Sequence, residues 1–258
     1  MSVASHIDEG SGPAVVFLHG VGSGKEGFSR QRLTLVEAGY RFIAVDAPGF
    51  GETLASDAGF EAHVGAVIGV LDHLGIERAI FVGHSLGGMT VQEIFAKHRE
   101  RVLAMVLSAT SPAFGKPGGD FQREFIAARL KPFEQGMTMP QFAASFAEKL
   151  IGPSPEEGTL SEIIDVMSAV PVESYIAAMR TITTFDRREQ LGAVDVPTLL
   201  IAGSHDTNSP APMMEKMASK IPHAHFILLD QTGHMAPIEN SRQFNHHVLE
   251  FLGAVSPC

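Results

Sequence analysis

Ser85 stands between glycines in the stretch GHSLGG (residues 83–88), where Gly83, Ser85 and Gly87 spell G-x-S-x-G. A serine hydroxyl is a weak nucleophile near neutrality. It becomes a competent one when an imidazole takes its proton and a carboxylate holds that imidazole in one tautomer. The pentapeptide alone carries little weight, because about one sequence in five of this composition would contain it by chance. Its setting carries more: an apolar run ends at Gly83 and a helical pattern begins near Leu86, so Ser85 falls in a tight strand-to-helix turn. Such a turn forces strained backbone angles on the serine and brings the residues two positions away so close that a Cβ would clash. The helix start also aims its N–H groups and dipole at the hydroxyl, favouring negative charge there. The plain structural alternative is a serine that merely caps a helix.

The chain has 12 histidines, so the base must be selected among them. In sheets of this kind the acid and then the histidine follow the serine along the chain, and ligands gather at the C-terminal ends of the strands. After the apolar run TLLIAG (198–203) lie His223, His225, His234, His246 and His247. His225 falls within the next run, His223 just before it, and His246 and His247 on a closing helical pattern. His234, in DQTGHMAP, follows a strand end and is the expected base. The same rule selects Asp206, in GSHDTNSP, as the acid, whereas the loop SATSP after the earlier run offers none. Asp186 and Asp195 are expected to cap or pair locally, and Asp230 and Glu239 to be strand-end and helix-start residues.

A competing chemistry comes from HGVGSGKEG (19–27), where Gly22, Gly24 and Gly27 spell G-x-G-x-x-G and Asp46 follows at the distance of a ribose-binding carboxylate. A second glycine loop, DAPGFG, continues from Asp46, and no second mononucleotide half is evident. A magnesium-phosphate loop also fails, because Glu26 follows Lys25 where Ser or Thr is required. Dinucleotide binding is the weaker reading, and no cofactor or metal is expected.

The positioning elements are legible as rhythm. AVVFLH (14–19), RFIAVD (41–46), AIFVG (79–83) and VLAMVLS (102–108) are nearly continuous apolar runs, the pattern of strands buried on both faces. Between the second and third, Val64, Val67, Ile68, Leu71 and Leu74 recur at helical spacing, with Gly75 placed as a left-handed cap. From Ser111 to about Arg187 the alternation stops in favour of helical patterns rich in Phe, Met and Ala, broken by Pro140, Pro153, Pro155 and Pro171. The rhythm then returns with TLLIAG, a helix from about Met213 to Lys220, HFILLD (225–230) and a closing helix. The expected fold is therefore α/β, with core segments 1–110 and 188–258 and a helical insertion at 111–187.

Composition narrows the class. The 258 residues, 45% of them hydrophobic, suffice for one large domain. A formal charge of −10 opposes capture by nucleic acid or an anionic membrane. The only cysteine, Cys258, excludes an internal disulfide and a thiolate nucleophile within the fold. The start resembles no secretory signal and no apolar run reaches the roughly 20 residues of a membrane span, so a cytoplasmic location is expected.

HGVG, DAPGFGET, GHSLGG, GSHDTNSP and QTGHMAPIEN together resemble, in order, the motifs of the α/β-hydrolase superfamily. The similarity is nearest to enol-lactonase-like and carboxylesterase-like members. That resemblance implies an α/β-hydrolase fold: a mostly parallel sheet with helices on both faces and a helical cap at 111–187, from which this chain departs in that only about a dozen residues precede AVVFLHG, so that a shortened sheet edge is expected. It implies an oxyanion hole from the backbone N–H groups of Val21 and Leu86, with His19 as a buried structural residue shaping the loop. The implied activity is hydrolysis of a small-molecule carboxylic ester, lactone or enol-lactone. Hydrolases of C–C bonds in vinylogous diketones share the triad but commonly carry a tryptophan beside the histidine, and this chain has none. Dehalogenases and epoxide hydrolases place aspartate where Ser85 stands. A cofactor-free haloperoxidase-like activity and a non-catalytic ligand receptor remain as alternatives. Of Phe114, Phe121, Phe125, Phe133, Met137, Met139, Phe142, Phe146, Met167 and Met179, most are expected in the core of the cap and the rest on a pocket wall. An imidazole base loses its acceptor on protonation, so activity should fall on the acid side over about pH 6 to 7. A rate that stays flat from about pH 5 to 8 would remove the imidazole from the mechanism.

Overall fold

Continuous apolar runs become the centre of the sheet. In the computed structural model, which describes residues 3–56, 59–115 and 118–255, strands β2 (Ala14–Leu18), β3 (Arg41–Val45) and β4 (Ala79–His84) are buried almost throughout. The same holds for β5 (Val102–Ser108) and β6 (Thr198–Gly203). With β1 (His6–Glu9) and β7 (His225–Leu229) they form a seven-stranded sheet in the order β1-β3-β2-β4-β5-β6-β7. All neighbours pair in parallel except β1 against β3. β1 is the edge that the apolar pattern missed: HIDE is short and polar, and Arg41 of β3 holds its Asp8 at 2.7 and 2.8 Å. Cys258 lies outside the described residues.

Side chains that alternate along each strand feed two separate cores. Val15, Phe17, Phe42, Ile80 and Val82 pack with α1 (Ser29–Glu37) on one face. Val16, Leu18, Ile43, Val45 and Phe81 pack on the other with α2 (Phe60–His73) and α3 (Leu86–Lys97). Gly75, beyond α2, is left-handed at φ 67°, as its position after the last apolar repeat requires.

After β5 the chain leaves the sheet for α4 (Asp120–Glu134), α5 (Met139–Phe146), α6 (Thr159–Ser168) and α7 (Val172–Ile182). Departure and return are stitched together. Ala113 bridges Asp186, Phe114 N–H donates to Phe185 at 3.0 Å, and Arg187 N–H donates to Pro112 at 2.7 Å. Arg187 then grips the buried Glu93 of α3 through two hydrogen bonds of 2.6 and 2.7 Å, the fork geometry that suits a guanidinium and a carboxylate. The helices have their own apolar cluster, built on Phe142, Ile163, Met167, Tyr175 and Phe185. The chain re-enters the sheet at β6 and closes with α8 (Ala211–Ala218), β7, α9 (Ala236–Glu239) and α10 (Ser241–Val255), the last covering the α1 face. Among the described residues, no helix is long and apolar enough to cross a membrane.

The order places the reversal of winding between β2 and β4: the chain runs from β2 to β3 and β1 on one side and to β4 through β7 on the other. Loops after β2 and β4 therefore diverge around a crevice at the strand ends, the place where open α/β sheets receive ligands. α3 approaches this point so tightly that a Cβ on Gly87 would overlap the Leu18 carbonyl of β2, and one on Gly83 would lie 2.6 Å from Gly88 Cα. Gly87→Ala should therefore destabilise the protein by at least about 1–3 kcal/mol, measured as a lower urea midpoint. Gly65→Ala, on the exposed face of α2 with open space at its Cβ position, should raise it by up to about 1 kcal/mol.

Candidate functional site

Ser85 occupies the first position beyond β4, with φ 52° and ψ −115°, a region that residues with a Cβ rarely enter. Its neighbours hold it there. Ser85 N–H donates to Ser108 at 2.9 Å, the Thr110 hydroxyl donates to the Ser85 carbonyl at 2.7 Å, and α3 starts at the next residue. Ser85 and His234 share the wall of one cavity of about 120 Å³ beneath α4–α7.

His234 follows β7, and its Nδ1 lies 2.8 Å from Asp206 Oδ2. The carboxylate can only accept, so Nδ1 carries the proton and Nε2 is left as the basic nitrogen. Asp206 sits in the loop after β6, where its other oxygen accepts the N–H groups of Asn208 and Ser209 at 2.8 and 3.0 Å. Burial works to raise its pKa, but the charge and hydrogen bond of His234 and these two amides outweigh that, holding the carboxyl below its usual range. Of the sequence-expected trio, Asp206 and His234 are bonded to each other, and Ser85 lines the same cavity as His234 without a hydrogen bond between them.

The loop after β2 lies opposite. Gly20, Val21 and Gly22 line the cavity, and a Cβ on Gly20 would stand 3.2 Å from Ser85 Cβ. Among the described residues, the N–H groups of Val21 and Leu86 meet no acceptor, which leaves both as open donors. His19 is buried and structural: its Nδ1–H donates to the Gly20 carbonyl at 2.8 Å and its Nε2 accepts Ala47 N–H at 2.9 Å. Desolvation keeps it neutral by lowering its pKa. Asp46 is not available to a ribose, because it accepts Lys25 Nζ at 2.6 Å and Lys25 N–H at 2.7 Å. The G-x-G-x-x-G stretch is thereby tied to the carboxylate that a nucleotide would have needed.

Two supporting residues escaped the sequence reading. His84 lies beside Ser85, and its Nε2–H donates to the His234 carbonyl at 2.8 Å while the two rings sit 5.1 Å apart. Burial, reinforced by the charge of His234, pushes the His84 pKa down to about 3, so it works as a neutral strut. Glu239, expected at a helix start, lies in the single turn of α9 and is buried. Its carboxylate accepts Gly152 N–H at 2.7 Å and Met235 N–H at 3.0 Å, and burial raises its pKa. His234 N–H itself donates to Leu150 at 2.6 Å, so the histidine loop is bonded to the segment between α5 and α6. Asp186 pairs locally as expected, with Arg188, whereas Asp195 pairs with Arg99, 96 positions away in sequence.

A family model described as alpha/beta hydrolase fold matches residues 13–241. The chain belongs to the α/β-hydrolase family. Among its relatives, the 2-hydroxy-6-oxononadienedioate/2-hydroxy-6-oxononatrienedioate hydrolase of Cupriavidus pinatubonensis is 31% identical, over 95% of this chain and 89% of that protein. A thermophilic esterase from Thermogutta terrifontis superposes with a TM-score of 0.87 at 26% identity, covering 98% of this chain and 94% of the esterase. The enol-lactonase from Burkholderia xenovorans superposes at 0.84 with 25% identity, covering 96% of each chain.

Because folding lowers the Asp206 pKa, the native state favours its ionised form. The resulting stabilisation is complete above the ordinary carboxylate pKa of about 3.9 and fades as pH falls through the lower native value. Urea midpoints measured between about pH 3 and 7 should show the gap between wild type and Asp206→Asn widest near neutrality and closing in acid.

Proposed function

We propose that this hydrolase cleaves small carboxylic esters or lactones through an acyl-enzyme on Ser85, with His234 as base and Asp206 as its orienting acid. The observation that carries the reading is the 2.8 Å Asp206–His234 bond facing the same cavity as a serine held at φ 52°. His234 Nε2 takes the Ser85 proton as Oγ attacks the carbonyl. Asp206 stabilises the imidazolium without itself taking the proton. The open N–H groups of Val21 and Leu86 receive the oxyanion, a contribution of roughly 3–4 kcal/mol per donor in well-characterised enzymes. The imidazolium next protonates the departing alkoxide, which stays attached to the acyl chain if the substrate is a lactone. Water then attacks the acyl-enzyme with His234 again as base, restoring Ser85.

The substrate is small. A cavity of about 120 Å³ is comparable to an engineered apolar void of roughly 150 Å³ that accepts benzene. Phe114, Phe125, Phe146, Met167 and Met179 line it, half of the ten cap candidates and more than the sequence suggested. Residues 111–187 serve as the cap that excludes water above Ser85. A second reading, hydrolysis of a C–C bond next to a vinylogous ketone, draws on the relatives named for that chemistry. Met235 follows His234 here.

Ser85→Ala should lower turnover of a short-chain aryl ester by several orders of magnitude, with an unchanged circular dichroism spectrum. Asp206→Asn should cost about 10⁴-fold in kcat by favouring the wrong imidazole tautomer. Retention of full ester turnover by Ser85→Ala would eliminate the acyl-enzyme. A ring-fission diketone consumed faster than any ester or lactone would favour the second reading.

A further inference from the structure

Arg129, on α4, lines the cavity that Ser85 and His234 share. Among the described residues it is the only lysine or arginine on that wall, and no aspartate or glutamate lines it. Most other arginines pair with carboxylates, among them Arg30 with Glu156 and Glu162, Arg41 with Asp8, and Arg187 with Glu93. Among the described residues Arg129 forms no such pair. Instead its guanidinium carbon lies 4.5 Å from the centre of the Phe146 ring and 5.2 Å from that of Phe125. Aromatic rings engage a guanidinium through its face, whereas its five N–H donors point outward in its plane. The rings therefore hold the cation in place without using its N–H donors, of which Tyr175 can take at most a share.

A second unused donor faces the same space. Tyr175, on α7, is buried to 2% exposure and lines the cavity, and its hydroxyl lies beside the Arg129 guanidinium, which can only donate, so the phenol proton meets no acceptor. Phe142 and Phe133 pack edge-on against its ring at 5.4 and 5.7 Å, fixing its direction. Burial pushes the phenol up to about 12 against the opposing pull of Arg129, so it is protonated and donating at neutral pH. A half-buried cation without a counter-charge and a buried hydroxyl whose proton meets no acceptor each cost stability unless a ligand completes them.

We propose that Arg129 and Tyr175 form a carboxylate-binding subsite, and that the substrate is an ester or lactone bearing a free carboxylate remote from its scissile carbonyl. Such a molecule places its carbonyl at Ser85, a short apolar spacer along Met89 and Met179, and its anion between the guanidinium and the phenol. The proposal rests on Ser85 being the nucleophile, and it adds the charge of the substrate to that reading. Arginine suits the task because its planar fork can grip both carboxylate oxygens, which an ammonium cannot.

The test compares two aryl esters, the p-nitrophenyl monoester of glutaric acid and p-nitrophenyl pentanoate, which differ at the remote end by one carboxylate. The wild-type ratio of kcat/KM should favour the anionic ester. Arg129→Gln should cut that ratio by about tenfold or more, chiefly through KM, and Tyr175→Phe by a smaller factor. Arg129→Lys should restore part of it. A merely structural defect lowers both rates and leaves the ratio where it was, so an unchanged ratio in Arg129→Gln overturns the subsite. If neither ester is turned over, the hydrolase reading fails, and glutarate binding to Ser85→Ala by calorimetry decides the subsite separately. Binding that Arg129→Gln abolishes upholds it, and binding that is absent or indifferent to the substitution overturns it.

Discussion

The left-handed backbone at Ser85 is the constraint on which the rest of the molecule depends. A non-glycine residue at φ 52° and ψ −115° costs about 1–3 kcal/mol, and it persists because its surroundings permit nothing else. β4 and β5 pair up to His84 and Ser108, so the strand cannot slide. α3 lies so close to β2, to the end of β4 and to Thr110 that Gly87, Gly83 and Gly88 respectively have no room for a side chain. Thr110, from the loop after β5, packs against Gly88 and bonds the Ser85 carbonyl. The strain is thus balanced by contacts from three strands, and it lifts one hydroxyl clear of the sheet into the crevice.

Around that hydroxyl the protein separates charge from support. His19 and His84 are buried imidazoles kept neutral by desolvation, each with a tautomer fixed by a backbone carbonyl. Asp206 is the reverse: three hydrogen-bond donors keep it ionised although it is buried. Three imidazoles sit close to the same cleft, yet His234 alone among them meets a carboxylate at hydrogen-bond length. Residue type therefore says less about proton chemistry here than the partner on the far nitrogen does.

That distinction explains what could be read from residue order and what could not. Strands buried on both faces announce themselves as apolar runs, so VLAMVLS and TLLIAG have the bounds that the pattern indicates, and the strand-end rule leads to Asp206 and His234. β1 carries no such signal, because HIDE is an edge held by ion pairs and by its register with β3. Arg129 reads as one more solvated helix charge; only packing α4 against α7 turns it inward beside Tyr175. Its spacing of four residues from Phe125 was the available hint. Glu239 likewise looks like a helix-start acid until Gly152, 87 positions away in sequence, arrives as its donor. Local pattern specifies the scaffold and the residues tied to strand ends, whereas the lining of the cavity depends on contacts remote in sequence.

The bonds that join the histidine loop to residues 150–152 make the helical insertion and His234 one mechanical unit. Leu150 accepts the His234 amide, Glu239 clasps Gly152, and Gly152 and Gly233 pack so closely that neither tolerates a methyl group. The insertion is therefore not a cassette to be exchanged freely between homologues. A transplant cut at 111 and 187 would import foreign atoms under the imidazole, and each new lid would have to be matched to its own 231–240 loop before its pocket could be judged.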